Sequence, residues 1–256
     1  MTPGSVAGGE RREELLGPPR AEQRGMGAAG AVGWWPQVSA LLWKELRSES
    51  RTHDSFTPML VFAFTVVTVF GFGLKLAGVS LRPVFPGLIW ISTYFIGFLG
   101  IGRSFAGEKA QDTLAGLRLV PADPSYIYVG KLLSNLLFLS ALEAVSIPLQ
   151  FALLGVEFTA PLLPFAGVVI LGTTGFAAVG TLLSGLATHT RAGEILLPVL
   201  AFPVLIPAII GAVQATASLL GLGNALDWPK WIGMLAAYDV LFVAVSLVVF
   251  DFIMES

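Results

Sequence analysis

Residues Phe158–Thr190 read FTAPLLPFAGVVILGTTGFAAVGTLLSGLATHT, a stretch without one Asp, Glu, Lys or Arg. A bilayer core about 30 Å thick needs about 20 consecutive apolar residues to be crossed by a helix. The run is continuous rather than alternating, so it does not read as a barrel strand, and an open sheet edge cannot sit in lipid. It reads as a transmembrane helix. Outward from it, uncharged windows of spanning length recur at Ser55–Leu74, Pro83–Gly102 and Ile195–Leu226. Two further windows are apolar with one acid each: Leu132–Leu154 holds Glu143, and Trp231–Phe250 holds Asp239. The fold class expected is an all-α integral membrane protein with six transmembrane helices.

The composition excludes a soluble alternative. Of 256 residues, 55% are hydrophobic and 12% charged, against about 25% charged in soluble domains. The absence of cysteine removes disulfides, thiolate metal sites and thiol catalysis together. Residues 1–33 are rich in Gly, Ala, Pro, Arg and Glu and lack an apolar core of the kind a signal peptide needs. They are expected to form a disordered leader, with Met26 an equally good start.

Lys and Arg set the orientation. One side of a six-span chain receives Arg11, Arg12, Arg20, Arg24, Lys44, Arg47, Arg51, Arg103, Lys109, Arg118, Lys131 and Arg191. The other side receives Lys75, Arg82 and Lys230. The positive-inside rule puts both termini in the cytoplasm, and with them a multi-pass protein in the cytoplasmic (inner) membrane. Residues 34–54 are too charged to span, yet Val38, Leu41, Leu42 and Leu46 share a face with Lys44, Arg47 and Arg51 opposite. This segment reads as an interfacial helix on the cytoplasmic surface, leaving 55–256 as the transmembrane domain.

The outer loops, Lys75–Arg82, Gly155–Pro161 and Gly221–Lys230, are too short to build a receptor or catalytic domain. Within the fifth window, Pro198, Pro203 and Pro207 are expected to kink the helix, since proline removes a backbone donor. Two readings of its end stay open: Gly211–Leu226 turns back as re-entrant half-helices, or a single long tilted helix continues.

Few residues recommend themselves for chemistry. Glu143 and Asp239 are the only acids at mid-span depth, and no Lys or Arg lies there to pair with them. Such groups must face protein or water, or be neutral. They read either as a proton or substrate path or as buried carboxyls bonded to neighbouring helices, with Ser140, Ser146, Tyr238 and Ser246 as partners. One acid per helix is a thin relay, which favours the structural reading. His53 and His189 have no second ligand at metal-binding spacing, so no metal site is expected. Gly130–Lys131 lacks the other residues of a phosphate-binding loop. With no nucleophile–base pair either, the chain is not expected to be an enzyme alone.

The polar stretch Arg103–Lys131 is the exception between spans. Ala110, Leu114 and Leu117 make an apolar stripe of helical period, with Glu108, Lys109, Asp112 and Arg118 on the other faces. It reads as a cytoplasmic loop that couples the spans to a separate ATPase, those four charges making the contact.

From about Trp43 to its end, the chain resembles the CcmB family, membrane subunits of the ABC-type haem exporter of cytochrome c maturation. The resemblance rests on FPGLIW (Phe85–Trp90), on Phe105, Glu108, Asp112, Leu114, Leu117, Pro121 and Lys131, and on RAGEILLPVLAFPVLIP (Arg191–Pro207). Thr113 departs from the glycine common after the acid in that family. The resemblance implies an ABC-2-like permease fold and a CcmA-like ATPase carrying the ATP. It also implies CcmC-like, CcmD-like and CcmE-like partners, two copies of this chain, and haem as cargo of the complex rather than a cofactor here. The implied activity is haem export or ATP-driven release of haem-loaded chaperone. Two alternatives remain at this level: an ABC-2 permease for a lipid or drug, and a proton-coupled secondary transporter using Glu143 and Asp239.

Overall fold

The computed structural model describes residues 56–110, 124–187, 193–224 and 226–255, together with Ser39, Trp43 and Arg47; side chains are described over 56–101, 125–186, 199–224 and 226–250. From residue 56 onward, six helices follow one another among the described residues: α1 (Phe56–Leu76), α2 (Leu81–Ala110), α3 (Pro124–Leu154), α4 (Leu162–Ala187), α5 (Gly193–Leu219) and α6 (Trp228–Glu255). Each is long and apolar enough to cross a membrane. The six-span architecture expected from hydropathy is the one observed, and no strand occurs among the described residues. Helices satisfy their own backbone groups, which lipid cannot do.

Helix α4 is the hub. It packs against α2, α3, α5 and α6, whereas among the described residues α1 packs on α2 and α3 alone. Small residues on α4 allow the close approach, as is usual where packing rather than the hydrophobic effect holds spans together. The indole of Trp90 lies against Gly172, and Asp239 and Tyr238 lie against Gly175; a Cβ at either glycine would collide with these side chains. Around the hub, Ala177, Ala178, Phe176, Leu205, Ala208, Ala212 and Leu235 form a fully buried layer.

One end of the bundle is closed by tight turns. After α1, α3 and α5 the chain passes through Gly78, Gly155 and Gly221 at φ 71°, 63° and 70°. The following amides bond back into the helix, Val79 to Leu74, Val156 to Phe151 and Leu222 to Ala217. This is the glycine helix stop, which requires the left-handed region. Arg82 also donates to the Leu220 carbonyl at 3.4 Å, tying the start of α2 to the end of α5.

The opposite end differs from the sequence reading in its boundaries. The segment 103–131 is not a loop throughout: 103–110 continue α2 and 124–131 belong to α3. Hydropathy marks where lipid stops, not where a helix stops. Pro124 suits a first helical position, where its missing N–H is no loss. Lys131 is a buried α3 side chain. In the fifth span, Gly211 lies within α5, which runs through Pro198, Pro203 and Pro207 to Leu219. The single-helix reading holds, and the re-entrant one is corrected. Of the interfacial segment 34–54, Ser39, Trp43 and Arg47 are described, all helical, with the Arg47 guanidinium 4.6 Å from the centre of the Trp43 ring. The leader, His53 and His189 lie outside the described residues.

Candidate functional site

Two regions carry polar groups that a lipid-embedded bundle would otherwise avoid. The first is a buried seam where α3 meets α4 and α2. Asn135, Glu143, Ser146 and Gln150 recur at helical spacing on one face of α3, and all are buried. Asn135 Nδ2 donates to Thr181 Oγ1 at 2.9 Å, and Gln150 Nε2 donates to Ser92 Oγ at 3.1 Å. Tyr128 adds a bond from its hydroxyl to the Ala178 carbonyl at 3.2 Å. On the far side of the hub, Trp90 Nε1 donates to Thr216 Oγ1 at 2.9 Å, joining α2 to α5.

Glu143 sits at the middle of the seam, 4% exposed. Thr173 of α4 donates to its Oε1 at 2.6 Å. The same hydroxyl also lies 2.8 Å from the Val169 carbonyl, so one proton is shared between two acceptors. The sequence reading looked to Ser140 and Ser146 for this partner. Ser146 is buried beside the acid, but its hydroxyl has no hydrogen-bond partner among the described residues.

Asp239 is the second buried acid, 6% exposed, and its situation is unlike the first. Neither carboxylate oxygen has a hydrogen-bond partner among the described residues. Tyr238, expected as a partner, instead donates to the Val204 carbonyl at 2.9 Å, and Ser246 lies within reach of Tyr128 rather than bonding to Asp239. Tyr94 is buried on α2, its hydroxyl donating to the Gly172 carbonyl at 3.3 Å. Glu143, Asp239 and Tyr238 all lie within electrostatic reach of it. Among the described residues, no three His, Cys, Asp or Glu gather as a metal site would require.

The second region is the end of the bundle where α2 and α3 leave the membrane. The apolar part of α2 ends at Ile101, and the helix continues to Ala110. At 1.5 Å per residue this adds about 13 Å beyond the apolar span. Glu108 and Lys109 fall in the last turn of α2, their side chains undescribed; Asp112 and Arg118 lie outside the described residues. Pro198 and its two companions are in α5, remote in sequence from this end of α2.

Sequence reasoning missed Thr173, Asn135, Gln150 and Tyr94. The signal for two of them was present, since Asn135 and Gln150 share the helical face of Glu143. Thr173 had none, because which face of α4 meets Glu143 depends on packing.

Comparisons with known proteins agree with this architecture. A family model described as CcmB protein matches residues 37–254. The chain is similar to "Heme exporter protein B" of Rhodobacter capsulatus, 29% identical over 202 residues covering 78% of this chain and 92% of that protein. It is also similar to "Heme exporter protein B" of Paracoccus denitrificans, 27% identical over 179 residues, 70% of this chain and 81% of that one. A six-span bundle matched by one family model over nearly all its helical length is a multi-pass membrane protein of the CcmB family.

Proposed function

We propose that this chain is the membrane subunit of an ATP-driven haem exporter acting in cytochrome c maturation. The names of its relatives, both "Heme exporter protein B", supply the cargo class. In this reading haem, or release of a haem-loaded chaperone, is served by the complex, and this chain supplies movement rather than hydrolysis. ATP is bound by a separate CcmA-like subunit, because the chain has no phosphate-binding loop. CcmC-like, CcmD-like and CcmE-like proteins complete the assembly, which contains two copies of this chain by analogy with other ABC assemblies. The chain sits in the inner membrane with both ends in the cytoplasm, where positive charge concentrates.

The observation that carries the reading is the extension of α2 past its apolar span toward residues 111–123. A rigid helix that continues out of the bilayer transmits a push at its tip to the span as a whole. Helix α2 packs on α1, α3, α4 and α5, so displacement of its tip bears on most of the bundle. Glu108, Lys109, Asp112 and Arg118 are the contacts proposed for the ATPase. Double charge reversal, Glu108→Lys with Asp112→Lys, tests this. Loss of co-purification with the ATPase is expected while the chain still inserts; unchanged co-purification would remove these residues from the dock. The secondary-transporter reading through Glu143 and Asp239 requires function without any ATPase. Haem-protein maturation in cells carrying a hydrolysis-dead ATPase separates the two.

A further inference from the structure

The buried polar groups between Glu143 and the turn after α3 outnumber their partners. Glu143 Oε2, Ser146 Oγ, Gln150 Oε1 and Thr93 Oγ1 each lack a hydrogen-bond partner among the described residues. Their side chains are 4%, 2%, 2% and 4% exposed. Three belong to one face of α3 at i, i+3 and i+7, rising about 10 Å along the helix. The fourth follows Ser92, which is itself bonded to Gln150, so α2 brings Thr93 to the same level. A buried polar atom without a partner costs about 1–3 kcal/mol, and native structures rarely leave several together.

We infer that the α2–α3–α4 seam holds internal water between Glu143 and Gln150. The donor balance selects the ligand. Gln150 Oε1 accepts only, Glu143 Oε2 accepts when ionised and donates when protonated, and the Ser146 and Thr93 hydroxyls accept or donate. Water brings two protons to the acceptors and two lone pairs to the hydroxyls, and an internal water typically makes about three such bonds. No group of three His, Cys, Asp or Glu gathers among the described residues, as a zinc-type site would require.

The seam is closed at the glycine-turn end. Phe85 of α2 packs on Phe151 of α3 with ring centres 4.5 Å apart. Phe158 and Phe165 pack together at 5.2 Å, and Phe158 meets Phe151 at 5.3 Å. This aromatic plug sits one residue beyond Gln150. At the other end, buried Leu139 and Leu142 separate the Glu143 level from Asn135. These side chains border the site at either end, and a water between them solvates the carboxyl oxygen that Thr173 leaves free.

Radiolytic footprinting of the full chain in lipid nanodiscs tests this directly, because hydroxyl radicals form from bound water and oxidise adjacent side chains without any reagent having to enter. Leu142 and Ile147, both buried beside the proposed site, are to be compared with Leu205 and Ile101, which are also buried. Several-fold faster oxidation of Leu142 than Leu205, and of Ile147 than Ile101, is expected. Substituting Ser146→Ala with Gln150→Leu should return both rates to the reference level. Equal rates in the unmodified chain would show a dry seam and overturn the inference. Fast rates that persist in the double variant would show water held by other groups, and would overturn the assignment of these residues. If the double variant fails to fold, the comparison within the unmodified chain decides alone.

Discussion

Glu143 and Asp239 occupy the same depth class, one acid per span, and both lie against α4, yet α4 meets them in opposite ways. To Glu143 it presents a hydroxyl, Thr173, which donates at 2.6 Å. To Asp239 it presents a bare backbone, Gly175, and no donor bonds either carboxyl oxygen among the described residues. The first arrangement gives one oxygen of the buried acid a partner and leaves Oε2 to the inferred water. The second leaves a carboxyl in the bundle for which packing gives no account, and an ionisable group in that position is a functional hypothesis by default. One acid is held, and the other is only accommodated. The difference moves the question of function from Glu143 to Asp239.

Four substitutions sharpen or break that contrast, from the largest expected effect to the smallest. Gly175→Leu puts a branched side chain where Asp239 and Tyr238 lie. Overpacking of this kind costs about 1–3 kcal/mol or more. Loss of folded protein in detergent, followed by tryptophan fluorescence, is expected; a normal yield would mean that α4 and α6 are not in close contact. Asp239→Asn should leave the folded yield intact while lowering cytochrome c maturation strongly, measured as haem-stained cytochrome per unit of membrane subunit. Full maturation in that variant would return Asp239 to a bystander role.

Thr173→Val keeps the volume and removes the donor to Glu143. Hydrogen bonds between membrane helices are worth about 0.6 kcal/mol and at most about 1.7 kcal/mol, so a modest drop in thermal midpoint is expected. No drop would show that Glu143 gains nothing from the bond. Glu143→Gln should change least, because an amide oxygen still accepts from Thr173. Wild-type maturation with an unaltered pH profile is expected of it. A displaced profile would instead revive the proton-path reading.

Much of the fold was legible because lipid imposes a simple rule. A run such as Phe158–Thr190 has no structure other than a spanning helix open to it, and six such runs became six helices. What hydropathy could not show was where helices end. Residues 102–110 are polar enough to leave the membrane but remain helical, so α2 outlasts its span. The prolines of α5 were equally ambiguous: membrane helices tolerate them when neighbours compensate, and here the helix continues past all three. The acids were found because mid-span charge is rare. Their partners were not, because Thr173 lies 30 residues from Glu143 and only packing turns its face of α4 toward α3. The coupling residues rest on charge pattern and helical period, with Asp112 and Arg118 outside the described residues.

Purification of the intact, tagged chain from native membranes, followed by mass spectrometry of what accompanies it, bears most directly on the proposed role. Stoichiometric recovery of an ATP-binding subunit together with haem-handling maturation proteins is expected, and it should be lost on charge reversal at Glu108 and Asp112. Recovery of the chain alone, from cells in which cytochrome c maturation proceeds normally with a hydrolysis-dead ATPase, would contradict it.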